Sequence, residues 1–276
     1  MSINRMMSSS PILNVMVNAV QKAGRALVRD FGEIEQLQVS RKSLGDFVST
    51  ADHRSEKILM EELKKARPDF CFLLEESGSI KGADAESLWI VDPLDGTTNF
   101  LHGIPHFAIS VALQKKGEVV AGVTFNPVTD EMYWAEKGGG AFLNQRRIRV
   151  SGRRTLEEAL VAAATPYSKH GNSEHYISCY KRMVPVISGV RRTGSAALDL
   201  AYVGAGRFDG SMEINLSAWD IAAGSLIVRE AGGYVCDFSG NQNPLDFLAK
   251  GEKSGTIVSG NETIFTELKA LVVGKK

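Results

Sequence analysis

The segment at residues 89–100, WIVDPLDGTTNF, sets the strongest local constraint on the fold of this 276-residue chain. Its apolar start, WIV, is typical of a buried strand. Two aspartates, Asp92 and Asp95, follow at the end of that run. Because Pro93 fixes φ and Gly96 lacks a Cβ, we expect a sharp turn that directs both carboxylates to one side of the strand end.

The residues around these aspartates can be interpreted in two ways. The Leu94 carbonyl lies between them, and Thr97 and Thr98 follow at the predicted start of a short helix, where free N–H groups favour an anion. Carboxylate and carbonyl oxygens beside an anion site are the ligands that magnesium takes while leaving positions for a phosphate. A simple turn made of good turn residues explains DPLDG equally well when the motif is taken alone.

Two further segments place acidic residues at the ends of predicted elements. FLLEES puts Glu75 and Glu76 after a second apolar strand, and SAWDIAAG puts Asp220 at the start of a buried helix. Each has a simpler explanation, because Glu76 can be solvated and Asp220 can be stabilised by the helix dipole alone. Three acidic element ends favour a shared site, but the pattern leaves open whether they meet.

Composition narrows the class of protein. Lysine plus arginine and aspartate plus glutamate each total 32, so no net charge favours nucleic acid or an anionic membrane. The three cysteines form no CxxC pair, which suits a reducing compartment better than a disulfide framework or a zinc site. No signal peptide or run of about 18 apolar residues is present. We therefore expect a soluble, cytoplasmic protein with no membrane contact and no direct nucleic-acid contact.

The order of predicted elements indicates one domain, residues 1–276, made of two packed halves. Residues 1–150 predict two helices followed by an antiparallel meander, and residues 151–276 alternate strands and helices, so a seam is expected near residue 150. Helices are predicted at 12–31, after 50–52 and ending before 68, and at 173–184, 194–202, 219–231 and 262–273. Strands are predicted at 37–39, 70–74, 89–91, 160–165, 234–238 and 255–260, with several between 107 and 143 and a loop or hairpin tip at 41–47.

The motifs DPLDGTTNF, LEES, GDFVSTAD and WDIAAG together resemble the inositol monophosphatase family of magnesium-dependent, lithium-sensitive phosphatases. The resemblance extends over residues 42–233, nearly the whole chain. It implies a mixed α/β fold of the α+β type, a layered αβαβα sandwich shared with fructose bisphosphatase. It also implies a homodimer and roughly two to three Mg²⁺ ions in each active site.

The resemblance carries a set of metal ligands over to this chain. They are Glu75, Asp92, the Leu94 carbonyl, Asp95 and Asp220. These are the same acidic positions that the residue pattern singles out, and all of them offer oxygen, as magnesium prefers.

The resemblance also implies catalytic and substrate contacts. Asp46 would orient the Thr97 hydroxyl, which with Glu75 would position the attacking water, and the N–H groups of Gly96 and Thr97 would hold the phosphate. The remaining substrate contacts, on the side of the alcohol, would be Ala196, Glu213, Asp220 and Thr165.

The charge of this pocket explains why a metal is needed. The five carboxylates of the implied pocket would repel a phosphate dianion; they are those of Asp46, Glu75, Asp92, Asp95 and Asp220. Two like charges about 4 Å apart cost roughly 4 kcal/mol at an effective dielectric constant of about 20. Magnesium would reverse that sign and activate a water for in-line attack. No cysteine or histidine accompanies DPLDGT, so no protein nucleophile is predicted.

The predicted function is magnesium-dependent hydrolysis of a small polyol phosphate, with inositol 1-phosphate as the first choice. Histidinol phosphatase, fructose-1,6-bisphosphatase and nucleotide 3′-phosphatase remain alternatives, because they share the metal site and differ near Glu213 and residues 165–190. An alternative of another class is a non-catalytic protein partner in a transcription complex. Direct RNA binding is disfavoured, because the sequence has no basic stripe.

Overall fold

The computed structural model describes residues 10–33, 39–43, 46–164, 173–249 and 255–273. For residues 39–43, 46–48, 173 and 249 it describes the backbone alone. Thr165 and the part of the predicted 37–39 strand before residue 39 lie outside the described residues.

Within these ranges the chain forms eight α-helices and fifteen strands. The helices are α1 Pro11–Phe31, α2 Thr50–Ala66, α3 Thr97–Leu101, α4 Ser173–Met183, α5 Ala196–Gly204, α6 Ala218–Glu230, α7 Asp246–Ala249 and α8 Glu262–Val273. The strands are β1 Val39–Ser43, β2 Asp46–Ser49, β3 Phe70–Leu74, β4 Gly78–Ile80, β5 Asp84–Asp95, β6 Ala108–Lys115, β7 Glu118–Asn126, β8 Glu131–Glu136, β9 Gly140–Leu143, β10 Arg146–Arg147, β11 Leu160–Ala163, β12 Gly189–Arg191, β13 Gly210–Leu216, β14 Tyr234–Cys236 and β15 Gly255–Gly260.

The strands form two large sheets and one hairpin. The first sheet has eight strands in the order β10-β9-β8-β7-β6-β5-β3-β4 and is antiparallel except for the parallel β3–β5 pair. The second has five strands in the order β12-β11-β13-β15-β14, in which β11 runs parallel to both its neighbours. The β1–β2 pair forms the separate hairpin.

Helices cover both sheets, which gives five layers. α1 and α2 pack on one face of the first sheet, α5 and α6 lie between the two sheets, and α4 and α8 cover the far side of the second sheet. The side chains of β5 alternate between the layers on its two faces. Trp89 and Val91 belong to the core under α1 and α2, and Ile90 belongs to the core around α5 and α6. The predicted αβαβα sandwich is confirmed.

The central helix α6 is apolar on almost every side because it is enclosed between the two sheets. It lies directly on β7 at Gly122, where an added Cβ would come within 2.9 Å of the Ala223 Cα. The small residue therefore sets the separation between helix and sheet. That separation fixes how far Asp220, in the first turn of α6, lies from the first sheet.

The structure differs from the sequence-based expectation at several elements. The strand predicted at 89–91 extends over Asp84–Asp95. The segment 41–47, predicted as a loop or hairpin tip, belongs to the β1–β2 hairpin, whose tip at 44–45 lies outside the described residues. β13, which the sequence analysis did not identify, is the middle strand of the second sheet. Its segment GSMEINL mixes a glycine and polar residues with apolar ones, so it shows no continuous apolar run.

The division into two halves near residue 150 stays a prediction. The first sheet ends with β10 and the second begins with β11, so the change of sheet falls close to the predicted seam. Over the described residues, no helix is both long and apolar enough to cross a membrane.

Candidate active site

A β-bulge at the end of β5 brings Asp92 and Asp95 to the same side of the sheet. Between these two residues β5 advances three positions while β6 advances two. Side chains alternate along a strand, so the extra residue turns Asp95 to the side of Asp92. Ser55 of α2 donates a hydrogen bond of 2.7 Å to the Pro93 carbonyl inside the bulge, and this contact holds its shape.

The third carboxylate of the cluster comes from α6. Asp220 occupies the third position of that helix, where its Oδ2 accepts a hydrogen bond of 2.6 Å from the Ser217 N–H. One carboxylate oxygen each from Asp92, Asp95 and Asp220 lie within 4.8 Å of one another. Two elements far apart in sequence therefore meet at one acidic cluster.

Glu75 stands next to this cluster at the end of β3. Its backbone N–H donates to the Val91 carbonyl at 3.2 Å, and its charge acts on Asp92. Glu56 of α2 fixes the following residues, because its carboxylate accepts hydrogen bonds from the Glu76 N–H, at 2.8 Å, and from the Ser77 hydroxyl. The sequence analysis did not identify Glu56, because its hydrogen bonds are to residues that are distant from it in the sequence.

The electrostatics of the cluster favour a bound cation. Burial, followed by the charges of Glu75, Asp95 and Asp220, raises the pKa of Asp92 well above its ordinary value. Burial also raises the pKa of Asp95 to about 6, against its hydrogen bonds, and raises that of Asp220. These oxygens would accept a hard divalent ion in place of protons, so the residues fit magnesium.

Asp95 also connects the first sheet to α5. Its Oδ2 accepts hydrogen bonds from the Ser195 hydroxyl at 2.5 Å and from the Ala197 N–H at 2.8 Å. Ser195 is the N-cap of α5 and accepts from the Leu198 N–H at 3.4 Å. One Asp95 oxygen is thus fixed by the helix start, and Asp95 is oriented by both halves of the chain.

Thr97 begins α3, and its hydroxyl faces two acceptors. Its single proton can be donated to Asp52 Oδ1, 3.1 Å away, or to the Leu94 carbonyl, 3.0 Å away. The Leu94 side chain is in the core below. Gly96 precedes the helix with φ at 91°, a left-handed conformation that favours glycine.

Asp52 is a site residue that the sequence analysis missed. Its Oδ2 accepts from the Ser49 N–H at 2.8 Å and from the Ser49 hydroxyl at 2.7 Å, which leaves Oδ1 for Thr97. Burial raises the pKa of Asp52. The serine three residues before an aspartate at a strand-to-helix junction is a capping-box pattern, and it was the signal available in the sequence.

Two predicted contacts cannot be placed beside this geometry. Asp46, the residue predicted to orient Thr97, lies in β2 opposite Ser43, and its side chain falls outside the described part of the chain. Thr165 also falls outside it. The carboxylate in contact with Thr97 among the described side chains is that of Asp52.

The second sheet contributes Glu213 from β13. This side chain is 4% exposed, and its Oε1 has no hydrogen-bond partner among the described residues. Burial, followed by the charges of Asp199, Asp95 and Asp220, raises the pKa of Glu213, and the Arg192 charge opposes the increase.

Ala196 and Asp199 complete this side of the cluster from α5. Ala196, the first residue of the helix, is 9% exposed. Asp199, which the sequence analysis did not consider, accepts a hydrogen bond of 2.5 Å from the Thr193 hydroxyl. Burial raises the pKa of Asp199 to about 8. Asn99 links α3 to the same segment through a 2.8 Å hydrogen bond to the Thr193 carbonyl.

A sequence model of the inositol monophosphatase family matches residues 8–272. The chain belongs to this family. The resemblance inferred from the motifs is therefore confirmed, and it extends beyond both ends of the motif-bearing region.

Several proteins are similar to this chain in sequence and structure. An Inositol-1-monophosphatase of Rhizobium meliloti is 55% identical over 96% of this chain and 97% of the relative. A Nus factor SuhB of Pseudomonas aeruginosa is 43% identical over 94% of each. The crystal structure of the extragenic suppressor protein suhB from Bartonella henselae has a TM-score of 0.89 at 52% identity, covering 95% of this chain and 98% of that one.

Proposed function

We propose that this protein is a magnesium-dependent inositol-phosphate phosphatase that hydrolyses inositol 1-phosphate to inositol and phosphate. The observation that carries the proposal is the cluster of Asp92, which is buried, with the half-buried Asp95 and Asp220. One carboxylate oxygen of each lies within 4.8 Å of the others. Membership of the inositol monophosphatase family and a 55% identical relative named Inositol-1-monophosphatase support the substrate class.

The metal would be held by oxygen ligands alone, as magnesium prefers. We assign this role to Glu75, Asp92, the Leu94 carbonyl, Asp95 and Asp220. When bound, magnesium would supply the positive charge that a phosphate dianion requires and would lower the pKa of a water molecule. We propose that each active site binds roughly two to three Mg²⁺ ions.

Thr97 and Asp52 would position the attacking water. Ser49 fixes one Asp52 oxygen, so the other is oriented toward the Thr97 hydroxyl. The Thr97 oxygen then has a lone pair left to accept a hydrogen bond from water, which aligns that water. We therefore propose that Asp52 takes part in orienting Thr97, together with Asp46, to which the sequence analysis gave that role. Glu75 would assist as the other acceptor for the water.

The phosphate and alcohol parts of the substrate would lie on different sides of the acidic cluster. The N–H groups of Gly96 and Thr97, at the start of α3, would donate to phosphate oxygens. On the other side, the unpartnered Glu213 oxygen would accept a substrate hydroxyl beside the small side chain of Ala196. A buried acceptor discriminates against alcohols that lack the matching hydroxyl. We also propose Thr165 and Asp220 as contacts there.

Phosphate release from a substrate panel tests this proposal. The panel contains inositol 1-phosphate, histidinol phosphate, fructose 1,6-bisphosphate and adenosine 3′,5′-bisphosphate, each assayed with Mg²⁺, with EDTA and with Li⁺. We expect preference for inositol 1-phosphate, loss of turnover with EDTA and inhibition by Li⁺. Preference for another compound would replace the substrate and keep the metal chemistry. No Mg²⁺-dependent turnover of any of them would reject the proposal.

A second candidate role is a protein contact in a transcription complex. It is favoured by relatives such as the Pseudomonas aeruginosa protein, which is named Nus factor SuhB. Growth of a deletion strain complemented with Asp95→Asn distinguishes the two roles. Rescue by this variant would support the partner role, and failure of rescue together with retained folding would support the phosphatase. We also propose a homodimer in the cytoplasm, which sedimentation and cell fractionation would test.

A further inference from the structure

A cavity lies at the opposite end of α6 from the acidic cluster. Its volume is about 530 Å³, within the range of small-molecule sites. Arg229 lines it from α6, nine residues after Asp220, a separation of about 13 Å along the helix axis. The other walls are the turn before β7, β14, residues 242–245 and α8.

The charged groups of this cavity leave it positive. Arg229, Lys269 and Glu118 line it, but the Glu118 carboxylate is paired with Lys137 Nζ at 2.6 Å. The ion pairs found among the described residues include neither Arg229 nor Lys269. The Arg229 guanidinium donates to the Gln242 carbonyl, which uses only part of its five N–H donors. Both cations therefore keep donors for an anion.

The rest of the wall is largely apolar, with one unsatisfied hydroxyl. Leu226, Val235 and Leu245 are buried side chains of the lining, and the Phe265 ring lies beside Lys269, whose Nζ is 5.9 Å from the ring centroid. Ser225 also lines the cavity and is 3% exposed, and its Oγ lacks a hydrogen-bond partner among the described residues. A buried hydroxyl without a partner is unfavourable, so a ligand acceptor or donor here would be stabilising.

We propose that this cavity binds a small organic anion with a flat apolar body. Arg229 and Lys269 hold the anionic group, the body packs on Phe265 and Leu245, and the Ser225 hydroxyl supplies a further polar contact. An inorganic anion would leave the apolar wall uncovered, and a neutral apolar molecule would leave both cations unpaired. The site lies apart from the acidic cluster and does not depend on the proposed phosphatase activity.

Calorimetric titration of the full chain with naphthalene-2-sulfonate tests the site. The protein is kept free of divalent metal, so the carboxylates of the acidic cluster repel the anion. Neutral 2-naphthalenemethanol and inorganic sulfate separate the apolar part of the probe from its charge. We expect the sulfonate to bind about tenfold or more tightly than either, the equivalent of about 1.4 kcal/mol. Equal binding of the sulfonate and the alcohol would overturn the proposal.

Variants decide where the probe binds. Lys269→Met and Arg229→Met should each weaken sulfonate binding about five- to tenfold, as expected for loss of a charge-assisted contact. Lys116→Met removes an exposed lysine from the neighbouring turn, where Nζ lies 3.6 Å from a Glu86 oxygen, and should leave the affinity unchanged. If Arg229→Met does not fold, Lys269→Met decides alone. Wild-type affinity in Lys269→Met, or clearly tighter binding in Asp95→Asn, would reject the site.

Discussion

At the scale of single residues, Asp52 shows how one carboxylate serves both the fold and the proposed chemistry. Its Oδ2 caps the start of α2 through Ser49, and its Oδ1 meets the Thr97 hydroxyl. The cap holds the carboxylate in a single orientation, so the Thr97 hydroxyl has a fixed acceptor. Catalytic groups depend on such positioning, since small displacements reduce rates strongly.

Asp52→Asn should lower kcat for inositol 1-phosphate by about 10²-fold, with little change in KM. The asparagine amide has only one oxygen, so it cannot accept hydrogen bonds from both Ser49 and Thr97. Thr97 therefore loses its fixed orientation. Steady-state kinetics of Asp52→Asn, Thr97→Ala and the double variant measure this, and we expect the two losses to be far from additive. Loss of the cap should also cost about 1 kcal/mol of unfolding free energy.

The matched variant for this prediction is Asp46→Asn, which tests the residue named from the sequence. We expect it also to lower kcat, with a loss that is not additive with that of Thr97→Ala. Wild-type kcat in Asp46→Asn would leave the orienting role to Asp52 alone.

At the scale of elements, the start of α5 combines a helix cap with a contact to the acidic cluster. Ser195 accepts from the Leu198 N–H and donates to Asp95 Oδ2. The bulge in β5 and the N-terminus of α5 therefore constrain the same carboxylate from opposite sides. A substitution that removes this cap should therefore lower both the free energy of unfolding and the affinity for Mg²⁺.

Ser195→Ala should lower the free energy of unfolding by about 1 kcal/mol and weaken Mg²⁺ binding measured by calorimetry. Ser195→Thr keeps the hydroxyl and should restore much of both. Ser10→Ala is the matched control, because Ser10 caps α1 and accepts from the Leu13 N–H outside the cluster. It should cost similar stability and leave Mg²⁺ affinity unchanged, whereas equal Mg²⁺ losses in both alanine variants would contradict the assignment.

The elements also differ in how far the sequence defines them. The 262–273 helix is found at Glu262–Val273, and α1 ends at Phe31 as predicted, because glycine and helical periodicity mark them locally. β13 has no such local mark. Its position in the middle of the second sheet depends on β11 and β15 on either side.

At the scale of the whole molecule, the acidic cluster joins the two sheets across α6. The first sheet brings Asp92 and Asp95, α6 brings Asp220, and the second sheet brings Glu213, so their mutual charge opposes the folded state unless protons or cations compensate it. We propose that the two halves form one domain for this reason and because α6 packs on both sheets.

The metal-free protein should lose thermal stability as the pH rises from about 4 to 8. Asp95 and Asp199 have pKa values of about 6 and about 8 in the fold, above the ordinary value of 3.8, so between these limits the folded state binds more protons than the unfolded state. The stability that protonation provides is present below about pH 4 and is lost as the pH rises through 6 and then 8. Calorimetry should show Tm falling by roughly 2–4 °C for each kcal/mol lost.

Two comparisons isolate this effect. Saturating Mg²⁺ should raise Tm more at pH 8 than at pH 5, because the carboxylates then bind the ion without releasing protons. Asp199→Asn removes the group with a pKa near 8 and should flatten the fall between pH 6 and 8. A metal-free Tm that rises over this range would show that these carboxylates are not protonated in the folded state.

The sequence alone determined the acidic positions at the ends of β3 and β5 and at the start of α6, because each depends on local order: an apolar run, its turn residues and its helix cap. The family, and the layered fold that it implies, were inferred from the resemblance of the motifs that carry these residues. Only the tertiary structure showed that Asp52 meets Thr97, that Ser195 holds Asp95, and that Glu213 is buried with an unpartnered oxygen. The two hydrogen bonds join residues 45 and 100 positions apart, and their partners are set by how α2 and α5 pack around the bulge. Local propensity fixes where a carboxylate stands along its own element, whereas packing between elements decides which group it faces.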